Sequence, residues 1–123
     1  MILDDDEIDG FVTRKMIEDN RFAEKIITFL DAKSALEYLK TNENNSDELP
    51  TLIFLDVIMP VMDGFGFLDE FDKMNDTIRG KCKIVMLSTS ESFNDLNRAN
   101  KSKYVSKFLT KPLLKEALEA INF

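Results

Sequence analysis

The sequence has no histidine, no tryptophan and only one cysteine among its 123 residues. The absence of histidine excludes zinc sites with imidazole ligands, Ser-His-Asp triads and a histidine general base. The single thiol, Cys82, excludes an internal disulfide. One unpaired cysteine is typical of a protein in a reducing compartment, so we expect a cytoplasmic protein.

The sequence also lacks long apolar runs and an excess of basic residues. No stretch approaches the roughly 18 apolar residues of a membrane span, and no signal peptide opens the chain. The formal net charge of −7 disfavours nonspecific nucleic-acid binding, which depends mainly on Lys and Arg. The composition is 44% hydrophobic and supplies enough apolar material for a core. We therefore expect one domain over residues 1–123, with no direct nucleic-acid or membrane partner.

What the sequence does have is a dense acidic cluster near its start, formed by Asp4, Asp5, Asp6, Glu7 and Asp9. Acidic side chains at the start of a helix favour the helix dipole and cap free N–H groups. Capping accounts for Asp6 or Glu7, and it extends to Asp9. It does not account for three consecutive acids.

Short apolar runs alternate with amphipathic segments along the chain. The apolar runs cover residues 1–3, 25–30, 51–55, 83–87 and 104–109 and predict five strands. Helical spacing of apolar residues predicts a helix after each strand; in the first helix, Ile8, Val12 and Met16 recur every four residues. Strands that are apolar throughout are buried on both faces, which is typical of a parallel sheet covered by helices. We predict an α/β fold, a doubly wound (βα)5 sandwich.

Polar residues follow four of the five predicted strands. Asp4 and Asp5 follow the first strand, Asp56 the third, Ser88 the fourth and Lys111 the fifth. Because the carboxyl ends of parallel strands share one edge of the sheet, we expect these side chains to converge. Three close carboxylates repel one another unless a cation is bound, and Mg²⁺, with Mn²⁺ as the alternative, fits an oxygen-only ligand set. A cation and a lysine beside a carboxylate nucleophile favour phosphoryl chemistry through an aspartyl phosphate.

Four segments resemble the receiver domain of bacterial response regulators, the CheY-like family, along nearly the whole chain. They are LDDDE at 3–7, LDVIMPVMDG at 55–64, VMLS at 85–88 and FLTKP at 108–112. The second segment is the most specific, since an apolar strand runs into Asp-x-x-Met-Pro-x-x-Asp-Gly. The resemblance implies a five-stranded parallel sheet in the flavodoxin-like order 2-1-3-4-5 and a function in two-component phosphorelay signalling.

The resemblance also implies roles for the residues at the strand ends. Asp56 would accept the phosphoryl group, and Lys111 would contact the phosphoryl oxygens. Asp5, Asp56 and the backbone carbonyl of Ile58 would bind the cation directly, whereas Asp4 would bind it through water.

Ser88 and Phe108 take the positions of the family's switch hydroxyl and switch aromatic. After phosphorylation Ser88 would hydrogen-bond the phosphoryl group and Phe108 would turn inward. The face formed by the fourth predicted helix (near 93–99), the fifth strand and the fifth helix (near 113–121) would then change its affinity for a downstream protein.

Five further positions have tuning or structural roles in this interpretation. Ile58 cannot orient an attacking water and Ser90 has only a short hydroxyl, so we expect a long-lived phosphoryl state. Pro60, Gly64 and Pro112 would be structural, and a cis peptide bond would precede Pro112.

The partners follow from the same resemblance. The chain has no histidine of its own, so the donor would be a sensor histidine kinase or a histidine phosphotransfer protein. The protein would be a regulatory phosphoacceptor that catalyses only its own phosphotransfer and dephosphorylation. It would be a monomer or a phosphorylation-dependent dimer.

A calcium loop is one alternative. From Asp5 onward, Asp5, Glu7, Asp9 and Gly10 nearly imitate an EF-hand loop. The pattern fails at Glu7, where Asp or Asn is expected, and the closing glutamate position holds Met16.

Two other functions use the same fold. A phosphatase that forms an aspartyl phosphate usually has a second Asp two residues after the nucleophile, but that position holds Ile58. A receiver-like interaction module without phosphate would have lost part of the acidic pair, the acceptor or the lysine, all of which are present here.

Overall fold

The computed structural model describes residues 1–89 and 93–121. Its elements, in chain order, are β1 (Ile2–Leu3), α1 (Glu7–Asp19), β2 (Thr28–Phe29), α2 (Ala32–Thr41), a 3-10 turn (Ser46–Glu48), β3 (Leu52–Asp56), α3 (Gly64–Asp72), α4 (Asp76–Lys81), β4 (Lys83–Ser88), α5 (Phe93–Lys101), β5 (Val105–Thr110) and α6 (Lys115–Glu119). Among the described residues, no helix combines the length and the apolar composition needed to cross a membrane.

The five strands form one parallel sheet in the order β2-β1-β3-β4-β5. The predicted fold class and strand order are therefore confirmed. In this order β2 lies on one side of β1 and β3 to β5 lie on the other. The connecting helices therefore leave β1 and β3 toward opposite faces of the sheet, which opens a crevice at the carboxyl ends of these two strands.

The two faces of the sheet carry two separate cores because successive side chains of a strand point to opposite sides. One face buries Leu55 and Met86 against Phe67 and Phe71 of α3, and this larger core also includes residues of α2, α4 and α5. The opposite face buries Phe54, Val85 and Leu87 against Ile17 of α1 and Leu118 of α6. Burial on both faces explains why residues 52–55 of β3 and 84–87 of β4 are all apolar.

Asp or Asn side chains cap the first four helices. The backbone N–H groups of Ile8, Ser34, Gly66 and Ile78 donate to the side chains of Asp6, Asp31, Asp63 and Asn75, at 2.9, 2.8, 2.8 and 3.0 Å. These bonds satisfy donors that have no partner within the helix. The prediction that Asp6 or Glu7 caps the first helix is confirmed for Asp6.

Two predicted elements differ from the structure. The sequence predicts a second strand over 25–30, but the strand contains only Thr28–Phe29, since this edge segment pairs with the two-residue β1 alone. A short helix, α4, lies between the third and fourth predicted helices, so the predicted fourth and fifth helices are α5 and α6. Its six residues are too few to show a helical repeat in the sequence.

Candidate functional site

Asp56 ends β3 at the carboxyl edge of the sheet, where Asp4 and Asp5 follow β1. Asp56 and Asp4 are buried, whereas Asp5 is exposed. One carboxylate oxygen from each of the three residues lies within 4.8 Å of the other two. The parallel pairing of β1 with β3 produces this cluster, because Leu3 and Leu55, the residues just before the acids, are register partners.

Lys111 joins the cluster from the far edge of the sheet, just after β5. Its Nζ lies 2.7 Å from Asp4 Oδ2, 3.1 Å from Asp9 Oδ2 and 3.2 Å from Asp56 Oδ1. The Lys111 backbone N–H donates to the Ser88 carbonyl at 2.7 Å. Hydrogen bonds therefore hold the lysine at its backbone as well as at its ammonium. The peptide bond between Lys111 and Pro112 is cis, as the resemblance implies.

The electrostatics of the cluster follow from this crowding. Burial and the charge of Asp4 raise the pKa of Asp56 from 3.8 to about 7, although Lys111 acts in the opposite direction. Burial would lower the pKa of Lys111, but its hydrogen bond to Asp4 and the charges of Asp56 and Asp4 outweigh that effect and raise it. One ammonium thus leaves the carboxylates under-neutralised, as expected of a set of oxygens that fits a divalent cation.

The predicted switch residues lie on β4 and β5, the two strands that follow β3 in the sheet. Ser88 ends β4 and is buried, and it is the register partner of Thr110 on β5. Phe108 lies opposite Met86 and is half-buried against the larger core. Ser90, the predicted tuning residue, lies outside the described residues.

The loop from 57 to 63 connects Asp56 at the end of β3 to the start of α3. Ile58, two residues after Asp56, is 62% exposed, and Pro60 is exposed. The Met62 N–H donates to the Pro60 carbonyl at 2.8 Å across Val61, whose φ is 69°. This is the geometry of a γ-turn of the strained type, and its central residue is a fully exposed, β-branched valine.

Asp9 is the site residue that sequence reasoning missed. The sequence pattern assigns it only to the start of the helix, where it does lie, in the first turn of α1. Its carboxylate nevertheless contacts the Lys111 ammonium. No pattern in the sequence signals this contact, because Asp9 and Lys111 are 102 residues apart along the chain.

The apolar repeat of α1 was an incomplete guide to its packing. The helix buries Thr13 and Ile17, whereas Ile8 and Phe11 are 74% and 66% exposed and Val12 is also exposed. Of the predicted repeat, only Met16 packs against a core, whereas Ile8 and Val12 at the start of the helix are exposed. The calcium-loop alternative is wrong, because residues 7–19 are helical rather than wrapped around an ion.

Comparisons with known proteins agree on one family. A family model described as the response regulator receiver domain matches residues 1–122. The chain is 32% identical to a probable methanogenesis regulatory protein, FilR2, of Methanothrix harundinacea, over 99% of this chain and 79% of the relative. It is 28% identical to the sensor histidine kinase CheAY of Helicobacter pylori, over 98% of this chain but only 14% of the kinase.

Solved structures show the same likeness. A two-component response regulator from Cytophaga hutchinsonii superposes with a TM-score of 0.89 at 26% identity, covering 96% of this chain and 88% of that one. The Mn²⁺-bound form of the response regulator Rcp1 superposes with a TM-score of 0.72 at 25% identity, covering 96% and 86%.

Proposed function

The chain belongs to the response regulator receiver domain family, and on that premise we propose that Asp56 accepts a phosphoryl group in a two-component phosphorelay. The single observation that carries the proposal is the convergence of Asp4, Asp5, Asp56 and Lys111 at one edge of the sheet. The domain, over 1–123, would be a cytoplasmic regulatory phosphoacceptor that catalyses only its own phosphorylation and dephosphorylation.

The cation in this proposal is Mg²⁺, with Mn²⁺ as the alternative. Asp5, Asp56 and the backbone carbonyl of Ile58 would bind it directly, and Asp4 through water. Three carboxylate oxygens within 4.8 Å of one another support this assignment, as does the likeness to Rcp1, whose structure was solved in a Mn²⁺-bound form. When bound, the cation would neutralise charge that develops on the transferring phosphoryl group.

The transfer needs a nucleophile and a counter-charge, and two residues supply them. A carboxylate oxygen of Asp56 would form a bond to phosphorus while the bond from phosphorus to the donor's imidazole nitrogen breaks. The electron pair of that bond stays on the nitrogen. The Lys111 ammonium, 3.2 Å from Asp56 Oδ1, would stabilise the phosphoryl oxygens.

The switch would begin at the phosphoryl group and end on the α5–β5–α6 face. Ser88 would donate its hydroxyl to a phosphoryl oxygen, and the β4 end would shift with it. Phe108, half-buried on the neighbouring strand, would turn into the space this opens. Ser88 and Phe108 would thus have two arrangements, and phosphorylation would favour one of them. The change between them would alter how the α5–β5–α6 face binds its downstream protein.

The donor would be a sensor histidine kinase or a histidine phosphotransfer protein, and we place its docking surface on the exposed face of α1. In-line transfer requires the donor histidine to reach Asp56, so the donor must cover the rim of the pocket. Ile8 and Phe11 lie in the first turns of the helix that starts at that rim, and both are more than half exposed. Exposed apolar residues beside a reaction centre favour a protein partner rather than a free phosphodonor alone.

Intact mass tests the phosphoacceptor assignment. The protein is incubated with a small-molecule phosphodonor, with and without Mg²⁺. We expect one added phosphoryl group that requires Mg²⁺ and is lost in Asp56→Asn. Asp69→Asn, which removes an exposed carboxylate of α3, is the matched control and should be labelled normally. Labelling of Asp56→Asn at the parent rate, or rapid multiple turnover of a generic phosphate ester by the parent, would contradict the proposal.

A further inference from the structure

Three carboxylates contact the Lys111 ammonium, and one of them, Asp9, is outside the group of Asp4, Asp5 and Asp56 that could hold a cation. Its three N–H donors match three acceptors: Asp4 at 2.7 Å, Asp9 at 3.1 Å and Asp56 at 3.2 Å. The lysine side chain is only 9% exposed, so it has little access to water as a replacement partner. Asp4 and Asp56 belong to the group whose oxygens could hold a cation, whereas Asp9 does not.

The three partners would respond differently during the proposed reaction. Asp4 and Asp56 would be drawn to a bound cation, and phosphorylation would turn one Asp56 oxygen into part of an acyl phosphate. Both events weaken contacts that hold Lys111 before the reaction. Asp9 takes part in neither event, so its carboxylate is the partner that persists.

The capped first turn of α1 places Asp9. Asp6 caps α1 and accepts hydrogen bonds from the backbone N–H groups of both Ile8, at 2.9 Å, and Asp9, at 3.2 Å. The capped turn fixes the backbone of Asp9, and the helix directs its side chain across the pocket to a lysine that is 102 residues away in sequence.

We propose that Asp9 is a positioning residue that holds the Lys111 ammonium in place to meet the phosphoryl group. The inference rests on the proposed phosphoacceptor function. Asp9 acts through Lys111 and does not touch the reacting atoms.

Glu7 offers a matched comparison. It is an exposed acid in the same first turn of α1, and among the described contacts it makes no ion pair with Lys111. If Asp9 acted only through the helix dipole or through net charge, neutralising Glu7 would have an equal effect. If Asp9 acts through its specific contact with Lys111, only neutralising Asp9 should have an effect.

The test measures the binding of beryllofluoride, a phosphoryl analogue, in the presence of Mg²⁺, and the binding of Mg²⁺ alone, both by calorimetry. Asp9→Ala should weaken beryllofluoride binding about fivefold, as expected for losing one partly exposed, charge-assisted hydrogen bond to the lysine. Glu7→Ala should weaken it less than twofold. The two variants should change Mg²⁺ binding equally. Asp9→Asn, which keeps the side-chain shape, is measured beside Asp9→Ala, so that the comparison does not depend on one variant folding.

Equal effects of the Asp9 and Glu7 variants on beryllofluoride binding would overturn the role of Asp9 and leave the proposed function intact. Failure of the parent protein to bind beryllofluoride would overturn both. A larger loss in the Asp9 variants, confined to the analogue, supports the inference.

Discussion

Gly64 packs so closely against Asp56 that no side chain fits between them. A Cβ atom at Gly64 would lie 2.5 Å from the backbone carbonyl oxygen of Asp56 and 3.1 Å from the Cα of Val57. The Gly64 N–H donates to the Val57 carbonyl at 2.8 Å. Helix α3 therefore begins directly against the end of β3, and the position of Asp56 depends on the absence of a side chain at Gly64.

Gly64→Ala should destabilise the protein and slow phosphorylation, because the backbone of α3 or of the Asp56 segment has to move. Overpacking of this kind costs about 2 kcal/mol, which corresponds to a fall in Tm of roughly 8 °C for a domain of this size. Thermal unfolding and the rate of phosphoryl labelling measure the two effects. Gly80→Ala is the control, since a Cβ there meets nothing within 4 Å and should be neutral or stabilising. Equal effects at the two glycines would contradict the packing argument.

The pKa of Asp56 predicts how the stability of the cation-free protein depends on pH. The folded state raises that pKa from 3.8 to about 7, mainly by burial. Between about pH 4 and pH 7 the folded state therefore holds a proton that the unfolded state has lost. The free energy of unfolding should therefore fall as pH rises through this range. Above pH 7 the contribution of Asp56 to stability is at its lowest.

Asp56→Asn removes this titration, so the variant should be more stable than the parent at pH 8, by roughly 4 kcal/mol, and less dependent on pH. Urea unfolding in a chelator at pH 5 and pH 8 measures the difference. Added Mg²⁺ should raise the stability of the parent at pH 8 more than that of the variant. A parent that is more stable at pH 8 than Asp56→Asn in the chelator would contradict this prediction.

Val61 has a positive φ angle, which glycine and asparagine adopt more easily than valine. Its φ of 69° is costly for a β-branched side chain, and the side chain is fully exposed, so no contact within the described residues compensates for the strain. Val61→Asn should stabilise the protein by about 1 kcal/mol, because asparagine tolerates positive φ. Val12→Asn, at an exposed helical valine, should change the stability little. A Tm for Val61→Asn that does not exceed that of Val12→Asn would show that Val61 is not strained.

Ile58 bears on the lifetime of the phosphoryl state. It lies two residues beyond Asp56, the proposed acceptor, is 62% exposed, and has no group that could orient an attacking water. Ile58→Asn supplies an amide at this position and should shorten the lifetime about tenfold by placing a water. The decay of the phosphorylated mass after removal of the donor measures it, with Ile58→Val as the size control. Equal decay in Ile58→Asn and the parent would assign the lifetime to another residue.

Phe11 tests the docking surface on α1. Phe11→Ser should raise the KM for a protein phosphodonor about tenfold, since a buried phenylalanine contributes roughly 1.5 kcal/mol or more to an interface. The rate with a small-molecule phosphodonor should not change, because that donor needs no docking surface. Leu96→Ser, on α5, is the control and should leave both rates unchanged. A loss with both donors would indicate damage to the site instead.

Several parts of the fold could be predicted from the sequence because they depend on local patterns of apolar residues. The continuous apolar runs of β3 and β4 specify strands buried on both faces, and the sheet order and fold class are confirmed. The second strand was overestimated because its length depends on β1, its pairing partner. The apolar repeat of α1 predicted the helix correctly but not which side is buried, since exposure depends on what packs against the helix.

By itself, the sequence determined which side chains stand at the strand ends, because a strand and the residue that follows it are consecutive along the chain. Asp4, Asp5, Asp56, Ser88 and Lys111 could all be named in this way. Only the tertiary structure decided how they are paired. Lys111 is 107 residues from Asp4 and 102 from Asp9, and the choice among its carboxylates depends on the angle at which α1 leaves β1 and on how far the lysine side chain reaches from β5 across β4. Contacts of this kind are set by how the helices and strands pack in three dimensions, so no local sequence pattern predicts them.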